Sequence, residues 1–224
     1  MPNVNITIDG QQVSAPSNST VLSAARLAGI KIPTLCDHPA IAPIGACRIC
    51  LVEVEKQRTL QPACVFPISE GMVVHTMSPK CIEARRFVLQ LLFSERNHFC
   101  MFCQMSGSCE LQSLAYEYGL DHWIYDRGFP KLAVDASRDS FVMDHNRCIL
   151  CRRCIRACDE LVGNNTLGLK NRGASTMVIA DMDVPFGDSS CVSCGTCLQV
   201  CPTGALLDRL SAYMGATKEV TRVK

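Results

Sequence analysis

The 224-residue sequence predicts an α+β chain in three successive parts, and three observations carry that prediction. Near the start, apolar residues alternate with polar ones and run into an Asp-Gly turn. In the middle, a Ser-Pro pair opens a long apolar-periodic helix. In the last third, one cysteine spacing occurs twice.

The first part, residues 1–78, reads as a small mixed domain. Val4, Ile6 and Ile8 alternate with polar neighbours, which is the period of a half-buried strand. Asp9-Gly10 is a two-residue hairpin signal leading to a second strand near Val13. Ser19 or Asn18 is placed to cap a helix over Val21–Ala28, with Gly29 free to adopt the left-handed conformation just past its end. Further strand signals lie at Leu51–Val54 and Met72–Thr76. Strand, turn, strand, helix and later strands suit a compact β-grasp module.

The second part, 79–138, opens with Ser78 as N-cap and Pro79 at the first helical position, and its apolar run continues to about Arg96. A loop-rich segment, His98–Cys109, precedes a helix expected over Glu110–Tyr118, and a connector without clear period follows from Gly119 to Asp139. The third part, 139–212, holds the repeat, and 213–224 reads as a tail.

Composition narrows the function. With 22 basic and 21 acidic residues the net charge is +1, so no strong field favours nucleic acid or an anionic membrane. The longest apolar stretch, Phe87–Phe93, is interrupted by Gln90 and falls far short of the roughly 20 residues a bilayer requires. The opening Met1-Pro2-Asn3-Val4-Asn5 has neither a basic nor an apolar leader region, so export is not expected. In a reducing cytoplasm, sixteen cysteines point to metal ligation rather than disulfides. The sequons at Asn5, Asn18 and Asn164 then read as surface or turn residues.

Cys148-x2-Cys151-x2-Cys154-x3-Cys158 is followed by Cys191-x2-Cys194-x2-Cys197-x3-Cys201-Pro202. This is the bacterial ferredoxin run. Three cysteines spaced three apart in a tight loop reach three corners of a cube, and the fourth faces the other cluster. The expected sets are therefore Cys148, Cys151, Cys154 and Cys201 for one [4Fe–4S] cluster, and Cys158, Cys191, Cys194 and Cys197 for the other. Zinc, usually held by paired C-x2-C knuckles, does not call for this spacing.

Cys36-x10-Cys47-x2-Cys50-x13-Cys64 keeps a long loop ending in C-x2-C, as a [2Fe–2S] site does, although a four-thiolate zinc site could use the same residues. His98-x-Cys100-x2-Cys103-x5-Cys109 offers one imidazole and three thiolates, a set that fits either a [4Fe–4S] cluster or zinc. A histidine at a helix C-terminus, interacting with the dipole, is a further reading of His98. His38, His75, His122 and His145 read as surface or packing residues, and Cys81 as a buried free thiol. Arg152, Arg153 and Arg156 crowd one repeat and read as a solvated basic face more readily than as a brake on cluster charge.

These four sets, in this order, resemble the electron-input module shared by the large iron–sulfur subunit of respiratory complex I, iron-only hydrogenases, and the diaphorase small subunit of NAD-reducing [NiFe] hydrogenases. The resemblance covers about residues 1–210. It is carried by Gly45-Ala46-Cys47-Arg48-Ile49-Cys50, Ser78-Pro79-Lys80, Arg96-Asn97-His98 and Cys109-Glu110-Leu111-Gln112. A single residue between His98 and Cys100, where complex I members usually have three, resembles the hydrogenase subunits. The stop at Lys224, without a large C-terminal domain, is expected for the same branch.

The resemblance implies one [2Fe–2S] and three [4Fe–4S] clusters in this chain. It implies FMN, NAD and a NiFe centre in partners: a flavin- and NAD-binding diaphorase large subunit and the [NiFe] hydrogenase small and large subunits. The implied task is electron relay inside an oxidoreductase complex, with no catalytic site in the chain itself. The sequence agrees in lacking a G-x-G-x-x-G after a strand, and Gly163-x4-Gly168 is followed by Leu169 where a phosphate loop requires lysine. A formate dehydrogenase or complex I-like assembly using the same module, and a multi-zinc scaffold, are the alternatives.

Overall fold

A computed structural model describes residues 2–122, 124–126 and 128–210. The expected tail, 213–224, and the last residues of the third part lie outside the described residues, as do Trp123 and Arg127 in the connector. The chain divides into two compact units: residues 1–37 with 43–89, and residues 38–42 with 90–224.

In the first unit, β1 (Asn3–Ile8) and β2 (Gln11–Pro16) form the hairpin that Asp9-Gly10 announces, in the register Ile6↔Val13. Both turn residues take positive φ, Asp9 at 47° and Gly10 at 84°, which suits the twist of a two-residue hairpin. Asp9 also accepts the amide and hydroxyl of Thr76, at 2.7 and 2.5 Å. The hairpin joins β3 (Leu51–Val54), β4 (Gln61–Pro62) and β5 (Val73–His75) in one sheet ordered β2-β1-β5-β3-β4. β1 and β5 run parallel while the other pairs are antiparallel, the arrangement of a β-grasp.

Helix α1 (Val21–Leu27) buries Val21, Leu22, Ala24 and Ala25 in a core shared with Ile6, Ile8, Val52 and Val74. Its N-cap is Thr20, whose Oγ1 accepts the Ser23 amide, rather than Ser19 or Asn18. Ser19 is occupied otherwise: its carbonyl accepts the Ile68 amide. At the other end Gly29 takes φ +71°, and its amide and that of Ile30 satisfy the carbonyls of Arg26 and Ala25.

Helix α2 (Pro79–Glu95) starts where Ser78 and Pro79 place it, with the Ser78 hydroxyl accepting the Cys81 amide. Cys81 is fully buried, its thiol between the Ser78 hydroxyl and the His75 carbonyl.

In the second unit, α3 (Glu110–Glu117) buries Leu111, Gln112, Leu114 and Ala115. β6 (Val134–Asp135), β7 (Phe141–Asp144) and β10 (Leu206–Asp208) form a three-stranded sheet, so the connector contains a short strand that its irregular composition conceals. β8 (Leu167–Lys170) and β9 (Met177–Ala180) pair as a hairpin between the two copies of the cysteine repeat. Phe141, Met143, Leu167, Val178 and Phe186 form a core with cysteines of both copies. His145 is buried, His122 is an exposed partner of Asp121, His75 pairs with Glu55, and His38 accepts the Ala40 amide. Among the described residues, no helix is long and apolar enough to cross a membrane.

Candidate metal centres

Four thiols meet in the first unit. Cys36, Cys50 and Cys64 are buried and Cys47 is half-buried. The Cys36 sulfur is hydrogen-bonded to the thiols of Cys47 and Cys64, and Cys50 to Cys64. The amides of Cys36 and Cys47 each point at the other's Sγ, at 3.3 and 3.4 Å. These contacts hold Cys36 and Cys50 below the ordinary thiol range, while the same hydrogen bonds together with burial push Cys47 and Cys64 up. The loop bends through Gly45 and Arg48, at φ +64° and +59°. The positive φ is what calls for glycine at position 45; a Cβ there would also crowd the Val65 side chain, standing 3.1 Å from its Cγ2.

Arg85 of α2 supports this loop from beneath. Its side chain is fully buried; Nε donates to the Ile49 carbonyl at 3.2 Å and Nη2 to that of Leu51 at 2.8 Å. Ile49 lies between two of the four cysteines, so the guanidinium holds the loop by its main chain.

In the second unit, three cavities sort the remaining candidates. His98, Cys100, Cys103 and Cys109 line one, together with Phe93, Met105 and Gly204. Cys148, Cys151, Cys154 and Cys201 line a second, and Cys158, Cys191, Cys194 and Cys197 a third. The fourth cysteine of each sequence run thus borders the cavity of the other run. Among the described residues no three His, Cys, Asp or Glu side chains are gathered closely enough to hold one metal ion. Fifteen cysteines and His98 thus lie near one another in four groups, and Cys81 stands apart from them.

The two repeat loops share a backbone as well as a spacing. Leu150 and Ser193, two residues after the first cysteine of each loop, take φ +53° and +57°. Arg152 and Gly195, one residue after the second cysteine, take +60° and +76°. In both loops the amide two residues on donates to the first sulfur, Leu150 to Cys148 and Ser193 to Cys191, each at 3.4 Å. Short helices follow, α4 (Arg153–Arg156) and α5 (Thr196–Gln199), and a turn of π-helix over Ala157–Val162 carries Cys158.

Burial pushes the thiols of Cys151 and Cys154 up, Cys148 to about 11, and Cys109 and Cys197 to about 12. Burial acts the same way on Cys194, but the hydroxyl and amide of Thr196 outweigh it and lower that thiol. A buried thiol set is a sink for a cationic or cluster-bound metal, which takes the thiolate and releases the proton.

The basic face expected at Arg152, Arg153 and Arg156 is not one. Arg152 is exposed, but Arg153 is 3 % and Arg156 8 % exposed. Arg156 donates to the Ala42 carbonyl, and Arg153 pairs with Glu110. The charge run gives no sign of this, because the partners lie 43 and 114 residues away in sequence. Thr203 is a second residue that spacing does not single out. It is 2 % exposed, lines both the His98 and the Cys148 cavities, and donates its hydroxyl to the Arg147 carbonyl at 2.7 Å.

The chain matches three family descriptions in succession: a 2Fe-2S iron-sulfur cluster binding domain over residues 2–79, the NADH-ubiquinone oxidoreductase-G iron-sulfur binding region over 85–123, and the ferredoxin-like domain of NADH-quinone oxidoreductase subunit 3 over 140–207. It is 40% identical over 213 residues, 93% of this chain and 36% of the relative, to the NADP-reducing hydrogenase subunit HndD of Solidesulfovibrio fructosivorans. It is also 40% identical to an NADH-quinone oxidoreductase subunit of Rhizobium meliloti, covering 91% of this chain and 24% of the relative. The chain thus spans about a quarter to a third of the length of these curated relatives. A chain of the NAD+-reducing [NiFe]-hydrogenase in its H2-reduced state superposes with a TM-score of 0.87 at 36% identity, covering 92% of this chain and 87% of that one.

Proposed function

The chain belongs to the family of iron–sulfur electron-transfer subunits found in NAD+-reducing [NiFe]-hydrogenase and in NADH-quinone oxidoreductases, and on that premise we propose that it relays electrons between a [NiFe] hydrogenase module and a flavin- and NAD(H)-binding diaphorase subunit. The overall reaction would be H2 + NAD+ to NADH + H+, run reversibly, in the reducing cytoplasm.

In this reading Cys36, Cys47, Cys50 and Cys64 hold a [2Fe–2S] cluster. His98, Cys100, Cys103 and Cys109 hold one [4Fe–4S] cluster, and the two repeat sets hold two more. FMN, NAD and the NiFe centre sit in the partner subunits. The clusters, when bound, supply one-electron transfer. The chain's own residues do the rest: thiols anchor, loop amides point at sulfur, apolar walls exclude water, and buried guanidiniums fix the loops.

One observation supports the reading above the others. The cysteines sort into cavities by the exchange that a two-cluster ferredoxin unit requires, with Cys201 beside Cys148 and Cys158 beside Cys191. The equal identity to an NADH-quinone oxidoreductase relative supports a complex I-like assembly as a second reading.

The test is anaerobic purification of the complex, scoring iron, acid-labile sulfide, flavin, nickel and hydrogen-dependent NAD+ reduction. Cys201→Ser should alter the paramagnetic signal of one [4Fe–4S] centre and Cys158→Ser that of another. Material without labile sulfide, or two variants that change the same signal, would refute the assignment. A complex with flavin and labile sulfide but no nickel would move the conclusion to the second reading.

A further inference from the structure

Cys109 and Glu110 are neighbours in sequence, and so are Arg153 and Cys154. Each half of the Glu110–Arg153 ion pair is therefore joined directly to a residue lining a different cavity. Nη1 donates to Oε1 at 2.7 Å and Nη2 to Oε2 at 2.8 Å, a fork against a fork, and Nη1 also reaches the Val200 carbonyl at 3.3 Å. This geometry fixes orientation as well as distance, which a lysine cannot do. The Glu110 amide donates to the Pro202 carbonyl at 2.9 Å, one residue after Cys201. Glutamate and arginine thus stand at the same junction as Thr203, which both cavities share.

The two side chains differ in exposure, 4% for Arg153 against 47% for Glu110. Water screens the carboxylate and barely screens the guanidinium, so the pair is electrically lopsided toward the Cys148 cavity.

We propose that the Glu110–Arg153 pair sets the relative reduction potentials of two neighbouring centres, Arg153 raising that of the centre at Cys148, Cys151, Cys154 and Cys201, and Glu110 limiting that rise while holding down the centre at His98, Cys100, Cys103 and Cys109. The inference rests on the cluster assignment proposed above. One-electron reduction adds one negative charge to a centre, with no proton required; a fixed cation favours the reduced form and a fixed anion the oxidised one. Neither residue reacts: both are positioning residues whose charge is the device.

The experiment is a potentiometric titration, followed by paramagnetic resonance, of the anaerobically purified complex carrying Glu110→Gln, Arg153→Gln or both. Glu110→Gln should raise the midpoint of the Cys148 centre and Arg153→Gln should lower it. Arg153→Gln should change the oxidised-to-reduced ratio at fixed potential about tenfold, or about 59 mV for a one-electron couple, and Glu110→Gln, whose carboxylate water screens, should shift it less and in the opposite direction. The double variant should return toward wild type. Arg153→Lys, which keeps the charge and loses the fork, should stay nearer wild type than Arg153→Gln. If Arg153→Gln fails to assemble, Glu110→Gln at its half-exposed site still decides the matter. Variants with full iron and sulfide whose midpoints do not move, or move in the same direction, overturn the proposal. Wild-type material without clusters would instead defeat the assignment beneath it.

Discussion

Replacing Arg85 with methionine tests how the first candidate centre is held. The substitution keeps a long, unbranched side chain in the core but removes the donors to the Ile49 and Leu51 carbonyls. β3 pairs with β5 only at Glu53 and Val54, and on its other edge Leu51 lies opposite Pro62 of β4, which has no amide hydrogen to donate, so the Leu51 carbonyl takes its hydrogen bond from the guanidinium. A hydrogen bond from a charged donor contributes roughly 1.5–3 kcal/mol net, so two give about 3–6 kcal/mol. Methionine also removes a buried charge, whose desolvation offsets part of that sum, and about 3 kcal/mol remains. Local opening of this size is read directly by hydrogen exchange: protection of amides from Cys47 to Val54 should fall, while that of β8 and β9 in the second unit stays. Opening free energies for Cys47–Val54 within about 1 kcal/mol of wild type would refute the argument that Arg85 holds the loop by its main chain.

Two further outcomes follow from single positions. At Gly187, an added Cβ would stand 2.7 Å from the Ser137 carbonyl oxygen, a main-chain atom that cannot rotate away, so Gly187→Ala should cost about 1–3 kcal/mol, read as a lower urea midpoint; an unchanged midpoint would show that the 135–139 segment yields. Burial, then Arg96 and Lys170, lower the His145 pKa against the opposing pull of Asp144 and Asp135. The unfolded chain therefore takes the proton first: stability is complete above about pH 6.5 and is lost as pH falls toward the folded value, by at most about 1.4 kcal/mol per pH unit. His145→Gln should flatten that part of the stability curve, and an equal slope in wild type and variant would remove His145 as its source.

Where the sequence can be read, the signal is local. A two-residue turn needs Asp9-Gly10 and a helix start needs Ser78-Pro79, each settled within a few residues, and cysteines three apart in a tight loop are a pattern of the same short range. The N-cap of α1 falls one residue beyond Ser19 because Ser19 and Thr20 are chemically equivalent caps, and only the long-range tie from the Ile68 amide to the Ser19 carbonyl distinguishes them. β6 is invisible for a related reason. Two residues show no period, and Val134 and Asp135 form a strand only because β7 offers them an edge. Which cysteines share a cavity is legible because their spacing repeats, whereas Thr203, Glu110 and Arg153 carry no spacing rule.

The buried arginines show what spacing alone leaves out. Arg85, Arg96, Arg153 and Arg156 are all below 9 % exposure, while no lysine is buried among the described residues. Guanidinium groups are rarely taken out of water, and a net charge of +1 gives no hint that four have been. Each donates to a main-chain carbonyl: Arg85 to Ile49, Arg96 to Thr176, Arg153 to Val200 and Arg156 to Ala42. A carbonyl satisfies a donor without neutralising the charge. Arg96 acts to lower the thiol of Cys148 and Arg153 that of Cys151, so at least two of the four stand where thiolates would form. Thiolates formed in an apolar interior, as the proposed cluster sets would be, need cations there that cannot be neutralised by losing a proton. Arginine meets that need and lysine does not, which accounts for the choice of residue at Arg96 and Arg153.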